Sequence, residues 1–364
     1  MYFAILGRHP KLSLAEFALV TTISLRRQGE YLFFESDLEE SALLLQLEKL
    51  WGIVKWGKVV EKSDSKQQIS EEKNPDIVSF LAGVSIIGVN DQKLGMEIKK
   101  LYGVRRFKLV ELTSSDLEIK KDGKELIALG WGKIGLVLGW QDIAHFELID
   151  FWKPAHGMEV GMMPSKLAQM LVNIGIMKSE EWKTKSTSLT VYDPFCGFGT
   201  TGFVANWVGH HFVGSDISIT WAKENAKRWK EHWQGAVDNG QLFTVFKHDV
   251  TEPFVHPVVQ KVDCIVTEGW LGPVVGRKTR EPELLVHAEK IHALYTSFLN
   301  NLCEVVPYVP VVLTLPSYTR LPDAIFPEVV AHAVALGYAV EDLGIYSRKW
   351  QEVCRHIVVL TRSA

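Results

Sequence analysis

From about Ser188 to its end the chain alternates short strand-like runs with longer amphipathic ones, which limits the folds open to it. Strand runs read at Leu189–Tyr192, His211–Ser215, Phe243–Phe246, Val262–Thr267 and Val309–Leu315. Helical patterns read at Thr200–Val208, Thr220–Trp233, Pro282–Cys303 and Pro327–Leu336. Strands joined through helices run parallel, because a crossover needs a dozen or more residues. The last two runs, Tyr338–Tyr346 and His356–Thr361, have no helix between them and read as a hairpin. The expectation is an α/β, Rossmann-like domain. It has seven strands, helices on both faces and an antiparallel ending.

The first strand-to-helix junction carries the strongest motif, Asp193-Pro-Phe-Cys-Gly-Phe-Gly-Thr-Thr-Gly202. Gly197 and Gly199 let the backbone pass close to a ligand, and the helix beyond them presents free N–H groups. A loop of this kind alone also suits a nucleotide phosphate. No Lys-Ser/Thr follows the glycines, so it is not a P-loop. Two further acids close the next two strands: Asp216, placed for ribose hydroxyls, and Asp249, placed for an adenine amino group. A lone loop carboxylate is usually just solvated. Three at successive strand ends point to a site.

Residues 1–65 alternate strand and helix signals and suggest a ferredoxin-like α+β unit. These are Tyr2–Leu6, a helix after Ser13, Tyr31–Phe34, Leu38–Leu50 and Gly52–Val60. Lys62–Pro75 is polar and aperiodic, a linker. Residues 66–145 read as a second α+β domain, with helices at Ile77–Ala82 and Lys93–Leu101 and a strand at Ser85–Val89. Strands follow at Phe107–Leu112, Leu117–Lys120, Glu125–Trp131 and Lys133–Trp140, with Asp122-Gly123 as a hairpin turn. Positive charge gathers at Lys99, Lys100, Arg105, Arg106 and Lys108, and again at Lys120, Lys121 and Lys124. A solvated face is the plain reading of such runs. Residues 146–160 are assigned as a linker and 161–364 as the Rossmann-like domain.

The net charge of −3 argues against a protein that coats nucleic acid non-specifically. The four cysteines form no C-x-x-C pair and imply neither a disulfide framework nor a zinc site. The first residues lack the apolar region of a signal peptide, and no run is long enough for a membrane helix. A cytoplasmic protein is expected.

The D-P-F-x-G-x-G-T-T loop resembles that of methyltransferases acting on exocyclic amino groups of nucleobases. Gly161-Met-Met-Pro-Ser-Lys-Leu-Ala168, within the stretch Asp142–Asn173, is similar to the G-M-x-P-x-K-L-A of THUMP-containing tRNA guanine-N2 methyltransferases, the archaeal and eukaryotic guanosine-10 type. Ala4–Glu16 also resembles that family's N-terminal domain. The resemblance implies a class I methyltransferase domain binding S-adenosylmethionine, preceded by a ferredoxin-like and a THUMP-like RNA-binding domain. It implies cofactor contacts from Asp193, Phe195, Gly197, Gly199, Thr200, Thr201, Asp216, Ile217, Asp249 and Val250, with Met163, Pro164 and Lys166 from the preceding helix. Asp193 would face the cofactor's ammonium group. The basic residues 99–108 would then meet tRNA phosphates, and no metal is expected. Eukaryotic relatives use a small zinc-binding activator, whereas archaeal ones act as single chains.

One motif departs. Where the family has Asp-Pro-Pro-Tyr-Gly, this chain has Glu268-Gly-Trp-Leu-Gly272. Glu268 would accept hydrogen bonds from the amino group, and Trp270 would supply the stacking surface. Three readings stay open: guanine N2 methylation in tRNA, methylation of a different amino group (a DNA amino-methyltransferase among the options), or tRNA binding without catalysis. Of the twelve tryptophans, Trp221, Trp229 and Trp233 lie at helical spacing and read as packing. His210-His211 reads as a turn and strand start.

Overall fold

The computed structural model describes residues 1–20, 23–61, 73–114, 116–151, 162–179, 188–232, 242–276, 278–347 and 351–363. Most of the two expected linkers, together with Gly161 and Trp233, lies outside these residues. The chain divides into two compact units, Met1–Asp142 and Ile143–Ala364. No described helix is long and apolar enough to cross a membrane.

The first unit begins β1 (Tyr2–Leu6), α1 (Pro10–Phe17), β2 (Ser24–Gln28), β3 (Tyr31–Glu35), α2 (Glu40–Glu48), β4 (Ile53–Glu61). It continues α3 (Pro75–Phe80), β5 (Ile86–Val89), α4 (Gln92–Tyr102), β6 (Arg106–Leu109), α5 (Leu117–Asp122), β7 (Gly123–Gly130) and β8 (Lys133–Trp140). All eight strands form one sheet in the order β2-β3-β1-β4-β8-β7-β5-β6, so the two segments assigned to separate domains share a sheet. The seam is β4 against β8, antiparallel over seven paired residues from Lys55 to Glu61. A buried ion pair spans it: Lys55 on β4 donates to Glu125 on β7 at 2.5 Å, the side chains 0% and 1% exposed. Trp140 Nε1 of the intervening β8 donates to the other Glu125 oxygen at 2.9 Å.

Two local expectations fail here. Residues 117–122 are helical rather than a strand, and Gly123 begins β7 instead of turning a hairpin. The Leu-Glu-Ile-Lys alternation is misleading. Asp116 accepts the N–H groups of Glu118 (3.0 Å) and Ile119 (3.2 Å), a helix cap that outweighs the two-residue pattern. The strand β2 was not expected at all. It is a polar edge strand, its residues mostly exposed, so it carries no apolar alternation to read.

The second unit runs α6 (Ile143–Phe151), α7 (Ser165–Lys178), β9 (Thr190–Asp193), α8 (Thr200–Trp207), β10 (His211–Asp216), α9 (Thr220–His232) and β11 (Phe243–Lys247). Then follow β12 (Cys264–Glu268), α10 (Glu281–Val305), β13 (Val311–Tyr318), α11 (Phe326–Ala335), β14 (Ala339–Tyr346) and β15 (Val353–Thr361). The helix α6, part of it assigned to the linker, belongs to this unit. The seven strands order as β11-β10-β9-β12-β13-β15-β14. The five from β9 to β13 are parallel, and β15 runs against both its neighbours. That order, with one reversed strand, is the Rossmann-like methyltransferase topology. Helix α10 shows why its sequence folds onto this sheet. Leu284, Ala288, Ile291, Tyr295, Phe298 and Leu302 recur every three or four residues and are all buried. Each large apolar side chain so buried contributes roughly 1.5–3 kcal/mol.

Candidate functional site

The strand order reverses between β9 and β12, since the chain winds outward from β9 on one side and from β12 on the other. Ligands in open α/β sheets bind beyond the carboxyl ends of strands at such a point. A cavity of about 860 Å³ lies there, within the ~300–1,000 Å³ range of small-molecule sites.

Its floor is the loop after β9. Gly197 (φ +47°) and Gly199 (φ +82°) hold left-handed conformations that a side chain would strain, so the loop turns tightly into α8. Several bonds fix it. Asp216 Oδ2, at the end of β10, accepts the Gly197 N–H at 3.0 Å, and its Oδ1 accepts the Ser218 N–H at 3.1 Å. Asn225 of α9 donates to the Phe198 carbonyl at 3.0 Å. Asp193 Oδ1 accepts the Phe195 N–H at 3.0 Å and the Thr267 hydroxyl at 2.6 Å from β12. Asp193 is only 2% exposed, and burial pushes its carboxyl up to about 7 against the pull of these hydrogen bonds. Asp249 accepts the Thr251 N–H (2.9 Å) and hydroxyl (2.7 Å), which hold its carboxyl below the usual range.

The cavity brings together most of the residues singled out from sequence. Met163, Asp193, Phe195, Gly197, Thr200, Thr201, Asp216, Ile217, Asp249, Val250, Glu268 and Trp270 all line it. Gly199, Pro164 and Lys166 do not; Gly199 and Pro164 are the cap residues preceding α8 and α7. Sequence reasoning missed others. Trp221, expected as packing, is 49% exposed and faces the cavity, its ring stacked 6.5 Å from Phe198. Trp229 does pack, 4.7 Å from Phe203. His248 also lines the cavity, and its buried Nε2 has no hydrogen-bond partner there. Burial lowers the pKa of that imidazole, leaving a neutral ring able to bond a ligand. His210 and His211 act as turn and strand-start residues, each accepting a backbone N–H through Nδ1.

The departing segment follows β12. Glu268 lines the cavity, yet its carboxylate is held by Arg355 of β15, Nε to Oε1, with Nη2 at 3.4 Å from Oε2. The two side chains are 8% and 6% exposed, and burial raises the Glu268 pKa against the guanidinium's pull. Gly269 is required by its neighbour. A Cβ there would sit 2.1 Å from the Tyr295 hydroxyl of α10, which donates to the Thr314 carbonyl at 3.2 Å. A proline ring at this position would meet the same hydroxyl. Trp270, 42% exposed, stands at the cavity wall with Leu271, and Lys290 and Leu294 line it from α10.

Of the basic residues in the first unit, Lys99 and Lys100 are exposed in the last turn of α4, and Arg105 is exposed just beyond it. Arg106 pairs with Glu118, and Lys108 lies 2.6 Å from Asp116 and 3.8 Å from Glu118. Two of the five charges are thus neutralised locally by the unexpected helix α5 and its cap.

No family model matches the chain, and no curated protein matches it. Solved structures do. A magnesium protoporphyrin IX methyltransferase from Synechocystis PCC 6803 with bound S-adenosylmethionine is 16% identical, with TM-score 0.36, over 60% of this chain and 96% of that one. A SAM-dependent methyltransferase from Methanosarcina mazei is 10% identical, with TM-score 0.37, over 50% and 95%. A putative RNA methyltransferase from Pyrococcus horikoshii is 14% identical, with TM-score 0.33, over 58% and 92%. At these scores the strand order of the second unit, rather than any one neighbour, carries the fold assignment.

Proposed function

We propose that this chain is an S-adenosylmethionine-dependent methyltransferase acting on the exocyclic amino group of a nucleobase, with guanine N2 in tRNA as the preferred acceptor. The observation that carries the reading is the convergence of Asp193, Asp216 and Asp249, from three adjacent strands, on one cavity with the glycine loop. The residues fit the cofactor. Asp216 would hold the ribose hydroxyls, Asp249 the adenine amino group and Asp193 the ammonium. The neutral His248 Nε2 offers a further polar contact. Bound there, the cofactor supplies an electrophilic methyl group.

The chain's own residues do the rest. An exocyclic amino group is a poor nucleophile because its lone pair is delocalised into the ring. Arg355 occupies one side of the Glu268 carboxylate, but a carboxylate has about four lone-pair sites. Glu268 Oε2, the oxygen farther from the guanidinium, keeps acceptor capacity toward the amino N–H. Trp270 offers a stacking surface, worth ~1–3 kcal/mol per base.

The RNA part of the reading rests on the family resemblance, with which the first unit's topology is compatible. The connectivity β1-α1-β2-β3-α2-β4 with spatial order β2-β3-β1-β4 is ferredoxin-like, and the remainder would be the THUMP-like part. In this reading tRNA is the macromolecular partner, joined in the eukaryotic type by a small zinc-binding activator. Lys99, Lys100 and Arg105 are the cations left for phosphate. A second reading, tRNA binding without catalysis, is favoured by one observation, the capture of Glu268 by Arg355. Transfer of a tritiated methyl group to total tRNA and to duplex DNA tests the proposal. Label in tRNA supports it, label in duplex DNA alone replaces it with a DNA amino-methyltransferase, and label in neither leaves the binding reading.

A further inference from the structure

A second hollow, of about 560 Å³, lies within the first unit where β2, β3 and the β7–β8 turn meet. Its lining includes Arg26, Gln28, Phe33, Glu35, Trp131 and Lys133. Trp131 is its anomaly. It is the only non-glycine among the described residues with a positive φ (+46°), and it sits between Gly130 (+86°) and Gly132 (+72°). A tight turn of this kind is best served by Gly, Asn or Asp, and a bulky side chain there is disfavoured. The indole is nevertheless 72% exposed, so packing does not account for it. Strain held at an exposed side chain is a pointer toward function.

Charge completes the pattern. Arg26 is exposed on the edge strand β2, directly opposite Phe33 in the ladder, so both project from the same sheet face. Lys133 follows the turn, in register with Gly130. Neither cation has a carboxylate within ion-pair distance among the described residues. The one acid in the lining, Glu35, is 3.4 Å from the Ser24 hydroxyl, which donates to it. An exposed aromatic face beside two unpaired cations suits a planar base joined to a phosphate.

We propose that this hollow binds an unpaired nucleotide, its base against Trp131 and its phosphate on Arg26 and Lys133. The proposal builds on the nucleic-acid reading of the preceding subsection. Arg26 lies on β2, at the opposite edge of the eight-stranded sheet from β6, which carries Arg106 and Lys108, while Trp131 and Lys133 lie at the β7–β8 turn.

The test is a titration of the full-length protein with a short single-stranded adenylate oligomer, with adenosine monophosphate and with a blunt duplex. Trp131→Gly suits the turn's own conformation, so it should fold at least as stably as the wild type. It should bind the oligomer about tenfold more weakly or worse and lose part of the ligand-induced quenching of tryptophan emission. Arg26→Ala and Lys133→Ala should each flatten the salt dependence by about 0.7 in log–log slope. Affinity for S-adenosylhomocysteine should not move in any of the three. Trp131-dependent binding of the monophosphate as tight as that of the oligomer would identify the ligand as a free nucleotide. Equal oligomer binding by wild type and Trp131→Gly, or a preference for the duplex, overturns the proposal. Because no step needs methyl transfer, an inactive enzyme would leave this result intact.

Discussion

Replacing Asp193 by Asn probes the buried acid beneath the glycine loop. Burial raises this carboxyl to about 7, with Asp216's charge adding to the rise and hydrogen bonds from Thr267 and Phe195 opposing it. Between the unfolded value of about 4 and that folded value, the folded state holds a proton that the unfolded chain has lost. Stability therefore falls as pH rises through this window. A rise of about three units corresponds to roughly 4 kcal/mol at its limit, at ~1.36 kcal/mol per unit. Asn mimics the protonated acid, because its oxygen still accepts from the Thr267 hydroxyl and the Phe195 N–H. The variant should match wild type near pH ~4.5 and exceed it by up to a few kcal/mol above about pH 7. Urea denaturation of both full-length proteins across that range reads the difference directly. On the proposed function, in which the ionised Asp193 holds the cofactor's ammonium, wild-type affinity for S-adenosylhomocysteine should climb with pH through about 7, and the variant should lose that climb. Parallel stability curves, offset by a constant, would refute the reasoning.

Three other perturbations follow from the structure. Arg355→Met should destabilise by about 3–5 kcal/mol by stranding Glu268, and the double variant with Glu268→Gln should recover much of this in a denaturation cycle. Gly269→Ala should cost about 1–3 kcal/mol through its clash with Tyr295, and Tyr295→Phe should restore part of it; no recovery would place the strain elsewhere. Reversing Lys99, Lys100 and Arg105 to Glu should weaken tRNA binding more than neutralising the already paired Arg106 and Lys108, as filter binding across salt concentrations would show.

The second unit's sheet was legible because β9, β10, β12 and β13 are largely buried apolar runs and each acid sits at or just beyond a strand end, although the flanking β11 and β14 are half-buried or exposed. Asp193, Asp216 and Asp249 could be placed without coordinates for that reason. Arg355 could not, since it lies 87 residues from Glu268 and meets it only because β15 inserts beside β13. Nothing local marks it. Trp221 misled through helical spacing: it shares a face with Trp229, yet one ring is buried and the other borders the cavity. In the first unit, β2 is polar and solvent-facing, so it leaves no periodic trace. The shared eight-stranded sheet was hidden because β4 and β8 pair across more than 70 intervening residues, a partnership that depends on register rather than composition.

The account rests most heavily on the strand-end cavity being the cofactor site. Calorimetric titration of S-adenosylhomocysteine into wild type and Asp216→Ala tests this directly. Loss of a hydrogen bond to a charged group should cost about 1.5–3 kcal/mol, so the folded variant should bind roughly ten- to a hundredfold more weakly. Saturable wild-type binding with that loss is the predicted result. Absence of wild-type binding, or equal affinity in a folded Asp216→Ala, would contradict it.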